Sequence, residues 1–175
     1  MKIATWNVNS VRMRVNHIEN LVINEKLDIL CLQETKVANN EFPFNPMKDL
    51  GFKHIEIHGG KAYNGVAILS KVPLSQSFSV NFAQLKDHRH ISVKLFNQIE
   101  LHNFYVPAGG EFPDPLMNPK FKHKLQFMDE ITAWFKENRS KTDPMILLGD
   151  LNIAPLEHDV WSHKRLLTEV SHTPI

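Results

Sequence analysis

The amino-acid sequence predicts a mixed α/β fold, in which short buried strands alternate with two amphipathic helices. Apolar runs of strand length recur along the chain and end in polar turn residues. Two other stretches carry apolar residues at helical spacing. Asn97-Gln98 separates two strand-like runs and indicates a hairpin. Since hairpins occur beside strand–helix units, the sheets should be mixed rather than purely parallel.

The predicted elements follow one another without repeats, low-complexity tracts or an obvious linker. Strands are expected over residues 2–6, 27–32, 52–58, 65–70, 91–96, 99–106 and 144–148. The first helix should follow the first strand, because apolar residues recur at helical spacing from Val11 to Val22, with Ser10 or Asn9 as the N-cap. The second should begin at Asn118-Pro119. Its predicted buried face contains Phe121, Leu125, Met128, Thr132 and Phe135.

Composition indicates one soluble globular domain over residues 1–175, with 42% hydrophobic and 22% charged residues. No apolar run approaches the roughly 18 residues that a membrane helix needs, and the first residues lack the apolar stretch of a signal peptide. The single cysteine, Cys31, fits a reducing compartment, so a cytoplasmic protein without membrane partners is expected. The net charge of +1 does not decide for or against DNA binding, because a bound metal ion adds charge that this count omits.

Polar side chains follow several of the predicted strands. Asn7 follows the first strand and Glu34 the second, Tyr105 lies at the end of the later hairpin strand, and Asp150 and Asn152 follow the last strand. A carboxylate placed directly after a buried run is costly unless something pairs with it. Carboxylate and amide oxygens suit a hard cation such as Mg²⁺, which can stabilise a reacting phosphate. The same residue types also form ordinary turns, so spacing alone leaves both interpretations open.

Five strings in fixed order carry a specific resemblance. They are Thr5-Trp6-Asn7-Val8-Asn9-Ser10, Leu32-Gln33-Glu34-Thr35-Lys36, Asn64-Gly65-Val66-Ala67-Ile68-Leu69-Ser70, Tyr105-Val106-Pro107 and Gly149-Asp150-Leu151-Asn152-Ile153-Ala154-Pro155. Together they closely resemble the exonuclease III family of abasic-site (AP) endonucleases, within the endonuclease/exonuclease/phosphatase superfamily. The resemblance covers the N-terminal two-thirds of the family. It implies part of a four-layered α/β sandwich, with two mixed sheets packed face to face and helices outside.

The resemblance also implies roles for the polar residues at the strand ends. Glu34 is expected to be the principal Mg²⁺ ligand, with Mn²⁺ as a possible substitute, and Asn7 to help hold the metal or to orient Glu34. Tyr105 should place its hydroxyl on the scissile phosphate. Asp150 should either transfer a proton or orient the nucleophile, and Asn152 should bind the phosphate; both also belong to the expected metal site.

The implied function is a DNA-repair phosphodiesterase of the exodeoxyribonuclease III type. It would hydrolyse double-stranded DNA at abasic sites and remove nucleotides or blocks from 3′ ends, in base excision repair. The weaker candidates for DNA-backbone contacts are Lys36, Tyr63, Asn64 and Arg89. His102, close before Tyr105, is a candidate for supporting the site.

Family members are longer and carry a Ser-Asp-His motif whose histidine is expected to be the general base. This sequence ends before that motif, so the chain alone is expected to be weakly active or inactive. One alternative is a non-catalytic fragment or half-enzyme that binds metal or DNA, with the C-terminal segment supplied in trans. Another is a phosphodiesterase of the superfamily that acts on a different phosphate ester.

Overall fold

The computed structural model describes residues 1–83 and 86–174, and its two mixed sheets confirm the predicted fold class. The strands are β1 (Ile3–Asn7), β2 (Ile29–Gln33), β3 (His54–His58), β4 (Val66–Ser70), β5 (Leu74–Phe78), β6 (His90–Leu95), β7 (Glu100–Tyr105) and β8 (Met145–Asp150). The α-helices are α1 (Val15–Glu25), α2 (Phe44–Asp49), α3 (Pro119–Asn138) and α4 (His163–Leu166). Among the described helices, none has the length and apolar character needed to cross a membrane.

The chain divides into two compact units. The first unit contains all the strands named above, together with α1 and α2. The second contains α3, α4 and the loops that begin at Val106 and Leu151. The prediction of a single domain over residues 1–175 stays a prediction.

The first unit is built on two four-stranded sheets, in the orders β1-β2-β4-β3 and β5-β6-β7-β8. In each sheet one pair is parallel, β1 with β2 and β7 with β8, and the other pairs are antiparallel. Apolar residues of both sheets form a shared core, with Cys31 and Ile68 on one side and Val93 and Leu101 on the other. The two sheets therefore pack face to face.

Helix α1 covers the other face of the first sheet. Its residues Ile18 and Val22 pack with Leu30 and Leu32 of β2 in a second core cluster. Because successive strand residues point to opposite faces, β2 contributes to both clusters and is buried along its whole length. This explains the uninterrupted apolar run that indicates a strand at this position.

Each predicted strand is present, with ends that differ from the prediction by at most two residues. The sequence failed to predict β5, because Leu74–Phe78 is polar, largely exposed and irregularly paired between Ser75 and Phe78. It also failed to predict the short helix α2. Both elements lack the periodic apolar pattern on which the predictions depend.

The predicted start of the first helix was wrong. A 3₁₀ turn over Val11–Arg14 precedes α1, and the Ser10 side chain makes no capping hydrogen bond. Ser10 instead adopts a φ of 88°, and its N–H donates to the carbonyl of Glu34 at 2.7 Å. The backbone after β1 therefore stabilises the segment after β2 as well as the start of the 3₁₀ turn, where the Ser10 carbonyl accepts from Met13 N–H at 3.2 Å.

The predicted start of α3 is confirmed. The Asn118 side chain accepts hydrogen bonds from the N–H groups of Lys120 at 3.1 Å and Phe121 at 3.3 Å, an arrangement worth about 1 kcal/mol. The predicted buried face was partly wrong. The buried residues are Phe121, Lys124 and Phe127, whereas Leu125, Met128 and Phe135 are partly buried and Thr132 is exposed.

Candidate active site

Four strands of the first unit deliver polar side chains to one edge. Asn7 ends β1 and Glu34 directly follows β2, while Tyr105 ends β7 and Asp150 ends β8. In each parallel pair the terminal residues are in register, with Asn7 opposite Gln33 and Tyr105 opposite Asp150. Since parallel strands end at the same edge of a sheet, the predicted convergence of these side chains occurs.

The Glu34 carboxylate lies at the centre of this cluster. Its Oε1 accepts hydrogen bonds from Asn7 Nδ2 at 2.9 Å and from the Tyr105 hydroxyl at 2.7 Å. Its Oε2 lies 2.9 Å from Lys36 Nζ. Burial raises the pKa of Glu34, but the hydrogen bonds from Asn7, Tyr105 and Lys36 and the Lys36 charge outweigh it, so the pKa is lowered overall. The carboxylate is therefore ionised at neutral pH.

Asn7 joins the two carboxylates of the cluster. Its Nδ2 donates both to Glu34 and to Asp150 Oδ2, the second at 2.7 Å. Its Oδ1 accepts the backbone N–H of Asn9 at 3.1 Å. Because a backbone N–H must meet an acceptor, this bond fixes which end of the amide faces the carboxylates. Of the two roles expected for Asn7, this geometry supports the orienting one.

The Tyr105 phenol is held in its protonated form. Burial raises its pKa, and the hydrogen bond to Glu34 and the negative charge of Glu34 raise it further, to about 12 against the opposing effect of Arg89. The Arg89 guanidinium lies 4.5 Å from the ring centroid of Tyr105 and donates to its backbone carbonyl at 3.2 Å. Asp87 Oδ2 accepts from Arg89 Nε at 2.6 Å. Arg89 thus stabilises the position of Tyr105 by packing on its ring and by binding its backbone carbonyl.

The segment after β2 has an unusual backbone. Glu34 has a φ of 54°, Lys36 a φ of 53° and Asn64 a φ of 50°. Such conformations are costly for residues other than glycine and cluster at functional sites. The segment is fixed by hydrogen bonds from Thr35 N to Gly65 O at 3.1 Å and from Lys36 N to Asn64 O at 2.8 Å. A side chain at residue 65 would overlap the Thr35 hydroxyl, so glycine is required there.

The carboxylate oxygens at this edge of the sheets are suited to bind a magnesium ion. Glu34 and Asp150 both accept from the same Asn7 nitrogen, so two carboxylates lie side by side. No group of three His, Cys, Asp or Glu side chains suited to a metal occurs within residues 1–83 and 86–174. Mg²⁺ is typically bound by one or two carboxylates, with waters and phosphate oxygens completing its shell. The Lys36 ammonium beside Glu34 shows that this carboxylate attracts a cation.

The four candidates for DNA contacts have different surroundings. Lys36 belongs to the cluster, where its Nζ also contacts Asn9 Oδ1 at 2.5 Å. The Arg89 side chain is 14% exposed and paired with Asp87. Asn64 donates to the carbonyl of Asp87 at 2.8 Å. Tyr63, in contrast, is 77% exposed. Lys36 and Tyr63 are the accessible members of the set.

Asn152 lies in the second unit, in the loop after β8. Its Nδ2 donates to the carbonyl of Val106 at 2.8 Å. Its own carbonyl accepts from Lys124 Nζ at 2.7 Å, and the same ammonium donates to Val170 O at 2.7 Å and Ala108 O at 3.3 Å. Lys124 is buried and was not predicted from the sequence. Its position three residues after Phe121, on the apolar face of a helix, is the available signal.

Two buried amides behind the cluster were also missed, Gln33 at the end of β2 and Asn103 within β7. A polar side chain inside a buried strand is costly unless it is hydrogen-bonded, which is the signal that could have found Asn103.

The predicted supporting residue His102 contacts His90 at 3.0 Å and Glu100 at 3.2 Å.

Comparison with known proteins agrees with this geometry. Residues 4–168 match the endonuclease/exonuclease/phosphatase family. The chain belongs to this family. It is 29% identical over 166 residues to exodeoxyribonuclease III of Haemophilus influenzae, covering 91% of this chain. The structure of an AP endonuclease from Archaeoglobus fulgidus matches 99% of the chain with a TM-score of 0.88 and 32% identity. A Neisseria 3′ phosphatase bound to a product DNA hairpin matches 99% with a TM-score of 0.87 and 30% identity.

This family member spans only part of the length of its relatives. The chain covers 60% of the Haemophilus enzyme and 66% of each of the two solved chains. The predicted resemblance to exonuclease III-type proteins is confirmed, including its partial coverage.

Proposed function

We propose that this chain carries the metal-holding and phosphate-binding part of a DNA phosphodiesterase that cuts at abasic sites and trims 3′ ends. At one edge of the sheets, Glu34 is hydrogen-bonded directly to Tyr105 and is linked to Asp150 through Asn7. This arrangement is the observation that carries the proposal. Two carboxylates can hold a divalent ion, and a neutral phenol can donate a hydrogen bond to a phosphate oxygen, which are two tasks in phosphodiester hydrolysis. The names of the relatives, which include an exodeoxyribonuclease and an AP endonuclease, support DNA as the substrate.

In this proposal Glu34 is the principal Mg²⁺ ligand, Asp150 is the second carboxylate, and Asn7 orients both. Mn²⁺ suits the same oxygen donors. When bound, the divalent ion neutralises charge that develops on the phosphate oxygens. Lys36 and Glu34 form an ion pair, so Lys36 must exchange partners and becomes available to a DNA phosphate.

Tyr105 binds a phosphate oxygen in this proposal, by turning towards it the one hydroxyl hydrogen that it donates to Glu34 in the structure. The phenol, whose pKa is raised from 10.0 to about 12, is protonated at neutral pH as an ordinary tyrosine is, so its hydroxyl is a hydrogen-bond donor. Asp150 either passes a proton taken up from solvent to the leaving 3′ oxygen or orients the attacking water. Asn152 binds the phosphate with the amide hydrogen that Val106 does not use, because an amide nitrogen carries two.

None of the described residues is proposed as the general base that takes a proton from the attacking water. Within the described residues, the side chains of Glu34, Tyr105 and Asp150 are hydrogen-bonded to Asn7, Lys36, Arg89 and one another rather than to a histidine. We therefore propose that the isolated chain cuts slowly or not at all, and that the segment in which the relatives extend further restores cleavage when it is added in trans.

The test is cleavage of a fluorescent duplex that carries one abasic-site analogue, with Mg²⁺ or with chelator. The chain is assayed alone and together with the C-terminal segment of the Haemophilus relative. Glu34→Gln removes the central charge with little change in shape, and Glu25→Gln is the matched control, because Glu25 is an exposed carboxylate paired with Lys2. With that segment added, metal-dependent cutting that Glu34→Gln abolishes and Glu25→Gln retains is expected.

Cutting that persists in chelator, or that survives Glu34→Gln, would contradict the proposed site. A parallel assay with a 3′-recessed duplex, sphingomyelin and an inositol phosphate tests the substrate class. Turnover of either non-nucleic substrate in preference to DNA would assign the chain to another branch of the superfamily.

A further inference from the structure

Between the apolar core of the first unit and the Glu34 cluster lies a small buried polar layer. It consists of the side chains of Gln33 and Asn103, which are 1% and 0% exposed, and which we call the amide bridge. Gln33 directly precedes Glu34, and Asn103 lies two residues before Tyr105 on the same face of β7. Each member of the bridge is therefore linked through a short stretch of backbone to a residue of the cluster.

The amide bridge connects the two sheets. Gln33 Nε2, on β2 of the first sheet, donates to Asn103 Oδ1, on β7 of the second, at 2.7 Å. Asn103 Nδ2 then donates back to the first sheet, to Leu32 O at 3.0 Å and to Ala67 O at 2.9 Å. Leu32 and Ala67 are register partners on β2 and β4, so Asn103 links β7 to two neighbouring strands at one level.

The hydrogen bonds fix the orientation of both amides. Two backbone carbonyls face Asn103 Nδ2, so that atom must be the donor. The Asn103 oxygen consequently faces Gln33 and accepts from its nitrogen, whose other hydrogen donates to Thr5 Oγ1 at 2.9 Å. A network in which each donor has an acceptor is rigid, because any shift of one strand leaves a buried polar group unpaired.

An apolar pair would bury the same volume at this position but would remove the directional contacts that fix β2 against β7 there. The shared core below it consists of aliphatic side chains and Cys31, and such contacts are not directional. The bond between the Tyr105 hydroxyl and Glu34 Oε1, 2.7 Å long, also joins the second sheet to the first. Its length depends on the relative position of the same two strands that the amide bridge connects.

We infer that Gln33 and Asn103 are positioning residues, which fix β2 against β7 so that the Glu34 carboxylate and the Tyr105 hydroxyl meet. This inference rests on the proposed function, since it assigns the amide bridge to the alignment of that site. Neither residue contacts the substrate in this account. They set the distance between the Glu34 carboxylate and the Tyr105 hydroxyl, which must act together. Small misplacements of such groups can lower the reaction rate about 100-fold.

The test compares the double variant Gln33→Met/Asn103→Leu with the single variant Gln33→Met. The double variant replaces both amides by apolar groups of similar shape, while the single variant leaves Asn103 bonded to Leu32 and Ala67 and is the milder change. Ser70→Ala is the matched control, because Ser70 is fully buried and its hydroxyl donates to Val72 O at 2.7 Å at the opposite end of the same sheet.

A spectroscopic readout makes the test independent of cleavage. Tyr63 and Tyr105 are the only tyrosines in the chain, so a Tyr63→Phe background labelled with ¹³C at the tyrosine ζ carbon gives one resonance, from Tyr105. Glu34→Gln in that background provides the position of the resonance without a carboxylate partner. The bridge variants should move the resonance at neutral pH towards this position, by a larger amount in the double variant, and Ser70→Ala should leave it unchanged.

In the cleavage assay with its trans segment, the bridge variants should lower kcat about tenfold or more with little change in KM, and Ser70→Ala should not. A resonance that stays at its original position in a folded double variant overturns the inference, whatever the cleavage rate. If the unaltered protein cleaves no DNA, the proposed function fails while the resonance still decides the role of the amide bridge. If the double variant does not fold, Gln33→Met decides by the same two readouts.

Discussion

Glu34 in the first unit and Lys124 in the second are both charged side chains largely withdrawn from water, but their surroundings differ. Glu34 is 19% exposed at its side chain and is surrounded by donors on other side chains, from Asn7, Tyr105 and Lys36. Lys124 is 3% exposed, and its ammonium donates to three backbone carbonyls. Side-chain donors can exchange for a ligand, whereas a sealed ammonium on backbone carbonyls holds loops together. Exchangeable side-chain partners therefore indicate a binding role for the Glu34 carboxylate, and backbone partners indicate a structural role for the Lys124 ammonium.

After the loss of cutting expected for Glu34→Gln, removal of the Tyr105 hydroxyl should have the largest effect on activity. In Tyr105→Phe the ring still packs, but residue 105 no longer donates a hydrogen bond to Glu34 or to a phosphate. Loss of one such donor typically slows catalysis by about 100-fold or more, so a decrease of that size is expected in single-turnover cleavage, with thermal unfolding nearly unchanged. A full-rate Tyr105→Phe variant would remove the tyrosine from the proposed site.

The corresponding change in the second unit should act on stability. Lys124→Met keeps the side-chain length but leaves the carbonyls of Asn152, Val170 and Ala108 without their donor. Hydrogen bonds to charged groups contribute about 2 kcal/mol, and a loss of that order is expected in urea unfolding. Lys122→Met, an exposed position on the same helix, is the control and should change little. Equal effects of the two substitutions would show that Lys124 does not hold these loops.

Acid should weaken the contribution of Glu34 to stability. The folded-state pKa of Glu34 is lowered from its ordinary value of 4.5, so its ionised form stabilises the fold above that pH. This stabilisation is lost as the pH falls from 4.5 through the folded-state pKa. In chelator, the difference in unfolding free energy between the unaltered chain and Glu34→Gln should therefore shrink between pH 7 and pH 3. A difference that grows with acid would mean that the carboxylate is not stabilised as an ion.

The smallest effect is expected at Arg89. If Arg89 supports Tyr105, Arg89→Met should lower kcat about fivefold, in line with a cation–π contact worth about 1 kcal/mol. The salt dependence of DNA binding should then remain unchanged. A contact between Arg89 and a DNA phosphate would instead reduce the salt slope by about one, which measurements of binding at several salt concentrations would detect.

The sequence predicted the strands well because their apolar runs are buried by the sheets that they form. It also placed Asn7, Glu34, Tyr105 and Asp150 correctly at the strand ends, since strand termini can be read from the same runs. It failed for β5, which is polar and exposed, and for the buried face of α3, where a lysine takes an apolar position.

The other features that the sequence did not predict depend on tertiary contacts. Lys124 and Asn103 look unfavourable as buried residues until the carbonyls that satisfy them are known, and these carbonyls come from distant parts of the chain. The orientation of the Asn7 amide likewise depends on the Asn9 backbone. Local patterns therefore predict where functional groups emerge, and long-range hydrogen bonds determine how they are held.

The central claim is that the Glu34 cluster holds a divalent metal ion, and direct binding of Mn²⁺ tests it without reference to catalysis. Electron paramagnetic resonance can count free Mn²⁺ during titration of the chain and of two variants, Glu34→Gln and Glu25→Gln. We expect saturable binding in the unaltered chain and in Glu25→Gln, competition by Mg²⁺, and loss of that binding in Glu34→Gln. Equal Mn²⁺ binding by all three proteins would contradict the assignment of Glu34 as the metal ligand.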